Sequence, residues 1–181
     1  MTNTFYTVGH STRTLDEFFT LLQAGNIDHI VDVRAMPRSR SNPQFNQDTL
    51  PDELESVGIG YNHSAELAGL RKRSKSVNDG VNGNWRNQSF HNYADYALSA
   101  SFHDGLNSLI RLGDQHTCAI MCAEAVWWRC HRRIIADHLL HLGHEVCHLM
   151  NSDRLVPATM TEGAATRDDG ALIYPSDGSQ T

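Results

Sequence analysis

The most constraining feature of this sequence is an alternation. Short β-rich apolar runs take turns with stretches whose apolar residues recur at helical spacing. The runs Phe5 to His10, His29 to Arg34, Ile59 to His63, Thr117 to Cys122 and Glu145 to Met150 are too short for buried helices. Glycine, proline or polar residues bound them, so they read as strands. Between the first two lies "TLDEFFTLLQAGN". Thr14 and Glu17 form a capping-box pattern, Leu15, Phe18, Phe19 and Leu22 share a face, and Gly25 supplies the stop. A second helix is expected from about Leu50 to Val57, with Pro51 in its first turn. A long third helix should carry Tyr93, Ala97, Phe102, Leu106, Leu109 and Ile110 and end at Gly113. A fourth should hold Ile135, His138, Leu139 and Leu142 on one face. Strands alternating with helices imply parallel pairing and right-handed crossovers. The expected fold is an α/β, three-layer, Rossmann-like open sheet of about five mainly parallel strands with helices on both faces.

The chain has 181 residues, enough for one core. We expect a single domain over residues 1–150. Within it, 69–88 is basic and rich in glycine and asparagine, a mobile excursion whose composition fits a lid. Residues 151–181 lack periodicity and read as a loosely docked or disordered tail.

Hydrophobic residues make up 40% and no run approaches the roughly 20 apolar residues of a membrane span. The start, "MTNTFYTVGH", lacks a signal-peptide pattern, so a cytoplasmic address and no membrane partner are expected. In a reducing compartment the four cysteines serve packing, thiol chemistry or metal binding rather than disulfides. The formal charge of −6 disfavours bulk nucleic-acid binding, although a local basic pocket stays possible.

In open α/β sheets ligands bind outside the carboxyl ends of the strands. Strand one ends in Gly9, His10 and Ser11. Strand two ends in Asp32 and Arg34, followed by Arg38 and Arg40. Strand three ends near Tyr61 and His63. Strand four ends in Cys122, with Glu124 next and Cys130, His131 and Arg132 opening the following helix. Polar and reactive groups therefore gather at one edge.

Three readings of that edge stand side by side. Cys122, Cys130 and His131 offer three metal ligands, but not at the spacing of a C-x2-C knuckle, so no metal site is assigned. Cys122 or Cys130 near a helix N-terminus and arginines can carry a lowered pKa and act as a nucleophile, with His131 or His10 as base. Cys118 and Cys147 lie within strands and read as core. The third reading is an anion pocket walled by Arg34, Arg38, Arg40 and Arg132. Glu124 is then a general acid or base or an arginine's partner, and Trp127 or Trp128 stacks on a planar ring or caps the core.

The stretches "YTVGHSTRTLDEFFTLLQ", "IVDVRAMPRSRSNPQFN", "YNHSAELAG" and "CAEAVWWRCHRRIIADHL" resemble the domain of unknown function 488 family, over roughly Phe5 to Met150. The resemblance implies that Gly9, His10, Ser11, Asp32, Arg34, Pro37, Arg38, Cys122, Glu124, Cys130, His131 and Arg132 are motif positions, without assigning their chemistry. A weaker likeness is to the rhodanese and cysteine-phosphatase arrangement, which cradles an anion in a loop of about five residues between Cys and Arg. Here six residues separate Cys122 from Arg129, none is glycine, and one is Glu124. A carboxylate beside a dianion is unfavourable, which speaks against those activities.

The expectation is an enzyme binding a small anionic or nucleotide-like substrate, using Cys122, Cys130, Glu124, His131 and His10 for chemistry. Gly9, Ser11, Asp32, Arg34, Arg38, Arg40, Arg132 and Trp128 would bind that substrate, and no cofactor is implied. The alternatives are a non-catalytic module for a nucleotide or nucleic-acid end, and a zinc-stabilised structural domain.

Overall fold

The computed structural model describes residues 1–176. Eight strands and five α-helices follow one another as β1 (Thr4–Gly9), α1 (Leu15–Ala24), β2 (His29–Asp32), α2 (Leu50–Glu55), β3 (Gly60–His63), α3 (Gln88–Tyr96), α4 (Ala100–Gly113), β4 (Cys118–Cys122), α5 (Arg132–His141), β5 (Glu145–Asn151), β6 (Arg154–Pro157), β7 (Ala165–Thr166) and β8 (Leu172–Ile173). The main sheet has six strands in the order β3-β2-β4-β1-β5-β6. Its first five run parallel and β6 turns back antiparallel on β5. The expected α/β class with helices on both faces therefore holds, with one more strand in the sheet and a separate β7-β8 hairpin.

Two apolar layers cover the sheet. On one face Phe18, Leu21 and Leu22 of α1 and Leu50 and Leu54 of α2 pack on Val8, Ile30, Ala119 and Met121. On the other, residues of α3, α4 and α5 pack on Phe5, Val31, Cys118 and Ile120. Alternate side chains of β4 thus enter opposite layers, as the two-residue period of a strand requires. Cys118 lies in the second layer, where burial pushes its thiol up to about 12. The Thr14–Glu17 capping box forms, with Glu17 N–H donating to Thr14 Oγ1 at 3.1 Å and Thr14 N–H to Glu17 Oε1 at 3.0 Å.

The single long third helix is corrected to two, because Ser99 takes an extended conformation and its hydroxyl caps α4 by accepting from Phe102 N–H. The apolar spacing continues through this break, so periodicity alone runs the helices together.

The basic excursion has no helix or strand before Gln88, yet it is anchored. Arg71 lies over the Tyr96 ring at 3.7 Å, and Asn82 is fully buried. Asn82 Nδ2 donates to Asp95 Oδ1 at 2.8 Å and its Oδ1 accepts from Tyr174 N–H at 2.9 Å. The expected loose tail is corrected over its described part. β6 extends the sheet, and Leu172 and Tyr174 join the apolar layer of α3, α4 and α5. Residues 177–181, the rest of that expected tail, lie outside the described residues.

The strand ends fall in register. Gly9 pairs with Cys122, and Asp32 pairs with both Met121 and His63. β1 and β4 are neighbours, but the helices that follow them, α1 and α5, join opposite layers. The loops after these two strands therefore part, which opens a crevice at their carboxyl ends.

Candidate functional site

Two clefts share one wall in that crevice. The first, about 400 Å³, is lined by Met36, Leu70, Phe90, Tyr93, Arg129, Cys130 and His131 among others. The second, about 580 Å³, is lined by His10, Ser11, Arg38 and Asn42 among others. Arg34, Met36, Cys122, Ala123 and Glu124 line both.

The loop after Cys122 can sit against β1 because residue 9 is glycine. A Cβ there would run into the backbone carbonyl of Glu124. His10 N–H donates to Cys122 O and Ser11 N–H to Ala123 O, at 2.9 and 3.0 Å, which fixes the loop further. Ser11 takes a positive φ of 47° to do so.

Arg34 is buried, and its charge is spent inside the protein. Its Nε and Nη2 donate to Asp32 at 2.9 and 2.7 Å, and Nη2 also reaches Phe45 O at 2.7 Å. Tyr61 O–H donates to the same carboxylate, and its hydroxyl is pushed up chiefly by burial and then by that bond. Arg34 Nη1 lies 3.2 Å from His10 Nε2. The His10 ring stacks on Phe45 at 4.4 Å. Burial, with Arg34 adding to it, pulls the imidazole down to about 4 against a bond to Ser11 O that favours charge. At neutral pH His10 is a neutral imidazole, and its Nε2 accepts from Arg34.

Arg132 is buried to 1% exposure. Its Nη2 donates to Glu124 O at 2.6 Å, and its Nε and backbone N–H donate to Cys130 Sγ at 3.3 and 3.5 Å. The N-terminus of α5 and its arginine, which the sequence assigns to a substrate anion, thus hold the protein's own sulfur. His131 Nε2 lies 3.0 Å from Val33 O, which only accepts, so Nε2 carries a proton. Its Nδ1 then faces Cys130 Sγ at 3.6 Å as acceptor or, in the imidazolium, as donor. Gly69 packs against this ring, where a Cβ would come within 2.9 Å of Nδ1.

The two thiols share a proton unequally. Burial alone would push Cys130 up, but hydrogen bonds from Cys122 and His131 and the charge of Arg132 outweigh it and hold its thiol well below the usual range. Cys122, which donates to Cys130 and is half-buried, is pushed up instead. The geometry favours the negative charge on Cys130 over Cys122, with the shared proton on Cys122.

Cys122 Sγ, Cys130 Sγ and a nitrogen of His131 lie within 4.8 Å of one another, a set that suits a soft divalent cation. Against that use, Arg132 already brings a full positive charge to the Cys130 sulfur.

The other expected residues take lesser places. Glu124 is exposed and lines both clefts, and it holds Arg132 through its carbonyl, not its carboxylate. Arg38 is exposed on the second cleft, 3.4 Å from an exposed Asp48, and Arg40 is exposed outside both. Trp127 stacks on His148 at 4.4 Å and lines neither cleft. Trp128 lies edge-on to Trp127 and lines neither cleft. Sequence reasoning missed Met36, Leu70, Phe90 and Tyr93 as cleft residues. The one available signal was Leu70, a single apolar residue before a basic run.

The family model for the domain of unknown function DUF488 matches residues 14–139, well over half of the chain. The chain belongs to that family. No curated protein and no solved structure matches it.

Proposed function

We propose that this family member is an enzyme, a thiol-dependent transferase or hydrolase whose nucleophile is the Cys130 thiolate. The observation that carries the reading is the setting of one sulfur. Cys130 Sγ accepts from Arg132 twice, has His131 Nδ1 at 3.6 Å, and lines a cleft large enough for a small substrate.

In the reaction the sulfur forms a bond to the substrate's electrophilic centre. The leaving group departs with its bonding pair and takes the proton held at Cys122 Sγ or His131 Nδ1. Water or an acceptor molecule then removes the group from sulfur, and its proton restores the donor. Glu124, exposed on both clefts, can take that proton from the incoming nucleophile and pass it on to the donor.

The substrate is small and carries an anionic or nucleotide-like part. Arg129 on the first cleft and Arg38 on the second are the cations exposed to meet it, since Arg34 and Arg132 are spent internally.

The test is the alkylation rate of each cysteine against pH, located by peptide mass, on chelator-treated native protein. Cys130 should react as a thiolate well below the free-thiol pKa of about 8.5. A Cys130→Ser variant should lose turnover once a substrate is found. A cysteine pair that stays inert until unfolding would reduce the site to a binding module. Stoichiometric zinc uptake that protects all three groups and resists unfolding would favour the metal reading.

A further inference from the structure

We infer that the substrate of the first cleft carries a flat aromatic or heteroaromatic ring, seated among Met36, Leu70 and Phe90, with its electrophilic group at Cys130. The inference rests on the thiolate reading and adds the substrate's class.

Isolated exposed apolar residues are ordinary on protein surfaces. Here two of the most exposed ones, Met36 at 73% and Leu70 at 81%, line the same cleft as the reactive sulfur. Leu70 also holds a positive φ of 57°, a conformation unfavourable for a branched side chain. Its chain neighbours are Gly69, packed on His131, and the basic run that begins at Arg71. A strained, solvent-facing leucine beside the reactive histidine needs a reason, and an apolar ligand supplies one.

Behind the mouth the lining is aromatic and fixed. Phe90 stacks on Trp85 at 4.9 Å and 24°, so its ring is held in place. The Tyr93 hydroxyl is committed to Leu67 O at 2.7 Å. Fixed ring surfaces favour a flat partner, which can stack or meet them edge-on, over a flexible chain that must be ordered. At the rim, Asn87 uses its side-chain oxygen to cap α3 through Ser89 and Phe90 N–H. Its amide N–H groups have no partner among the described residues and are free to meet a ring acceptor.

The experiment compares three alkylating probes on the native full chain: iodoacetamide, N-benzyl iodoacetamide and N-(cyclohexylmethyl) iodoacetamide. The rate at Cys130 is read by peptide mass and divided by the rate on the urea-unfolded chain. The benzyl probe should gain about tenfold over iodoacetamide, with saturation at high concentration, and should outrun the cyclohexyl probe. Leu70→Asn, which keeps the positive φ and removes the apolar surface, should pull that gain back toward one. Equal normalised rates for all three probes would overturn the ring site while leaving the thiolate intact. A cyclohexyl probe as fast as the benzyl one would replace the ring by a general apolar group. If no probe modifies Cys130 before unfolding, the thiolate reading falls and the ring assignment falls with it.

Discussion

Arg132 shows how much one buried guanidinium can organise. It ties the loop after β4 to the start of α5 by grasping Glu124 O and Cys130 Sγ together. Arg132→Met keeps most of the volume and removes every side-chain donor. The variant should fold, with a loss of about 1–3 kcal/mol from the unsatisfied carbonyl, measured by urea unfolding. Cys130 should then titrate much closer to a free thiol, and its alkylation rate at pH 7 should fall by about tenfold or more. An unchanged rate–pH profile would mean that the thiolate does not depend on this arginine. At this scale the sequence shows which residues gather but not whom they face. Composition cannot tell that Arg34 is neutralised by Asp32, two residues away, or that Arg132 serves a cysteine rather than a ligand. Residue 9 was marked as a motif glycine from the sequence. Its reason, the approach of the Glu124 carbonyl, comes only from pairing β1 with β4.

The helices were legible where a cap and an apolar stripe agreed, as in α1, and misread where they disagreed, as at Ser99. α5 carries a further feature, and periodicity shows only part of it, the place of His138 on the helix face. His138 lies on its apolar face, 4.8 Å from the Phe102 ring, and its Nε2 has no hydrogen-bond partner. Burial pulls its pKa down to about 3, helped by the nearby His103 and His141. The folded state therefore keeps a neutral imidazole while the unfolded chain takes up a proton below about 6.5. A depressed pKa of this kind leaves its contribution to stability whole above 6.5 and erodes it as pH falls toward 3, by up to about 1.4 kcal/mol per pH unit. His138→Leu should thus lie within about 1 kcal/mol of the parent at pH 7 and lose less stability on acidification. Urea midpoints at pH 7 and pH 5 decide it, and parallel shifts for both proteins would show that His138 does not drive the acid loss.

At the scale of the whole molecule, the strand–helix alternation was enough to predict the parallel sheet and the edge at which these polar groups gather. It failed after β5 because the closing segment is held by a few buried anchors rather than by a repeated pattern. Tyr174 is fully buried, and its hydroxyl donates to Asp137 Oδ2 at 2.8 Å. Its backbone N–H meets Asn82, which itself bonds Asp95 on α3. Asn82 therefore joins three parts of the chain: the segment after Gly69, helix α3 and the closing segment. The ends of that first segment line the first cleft at Gly69, Leu70 and Asn87, so the anchor also bears on the cleft's shape. Asn82→Ala removes both side-chain bonds and leaves Asp95 Oδ1 and the Tyr174 N–H without their partner. The cost should be about 2–6 kcal/mol, the sum of two buried polar groups left unmet. Limited proteolysis should then cut between 158 and 176 at protease levels that leave the parent intact. The gain of N-benzyl over plain iodoacetamide at Cys130 should fall in the same variant, because Leu70 and Asn87 would no longer be held. Loss of stability with the probe ratio untouched would instead show that the cleft is shaped by β4 and α5 alone, and that the closing segment serves only the core.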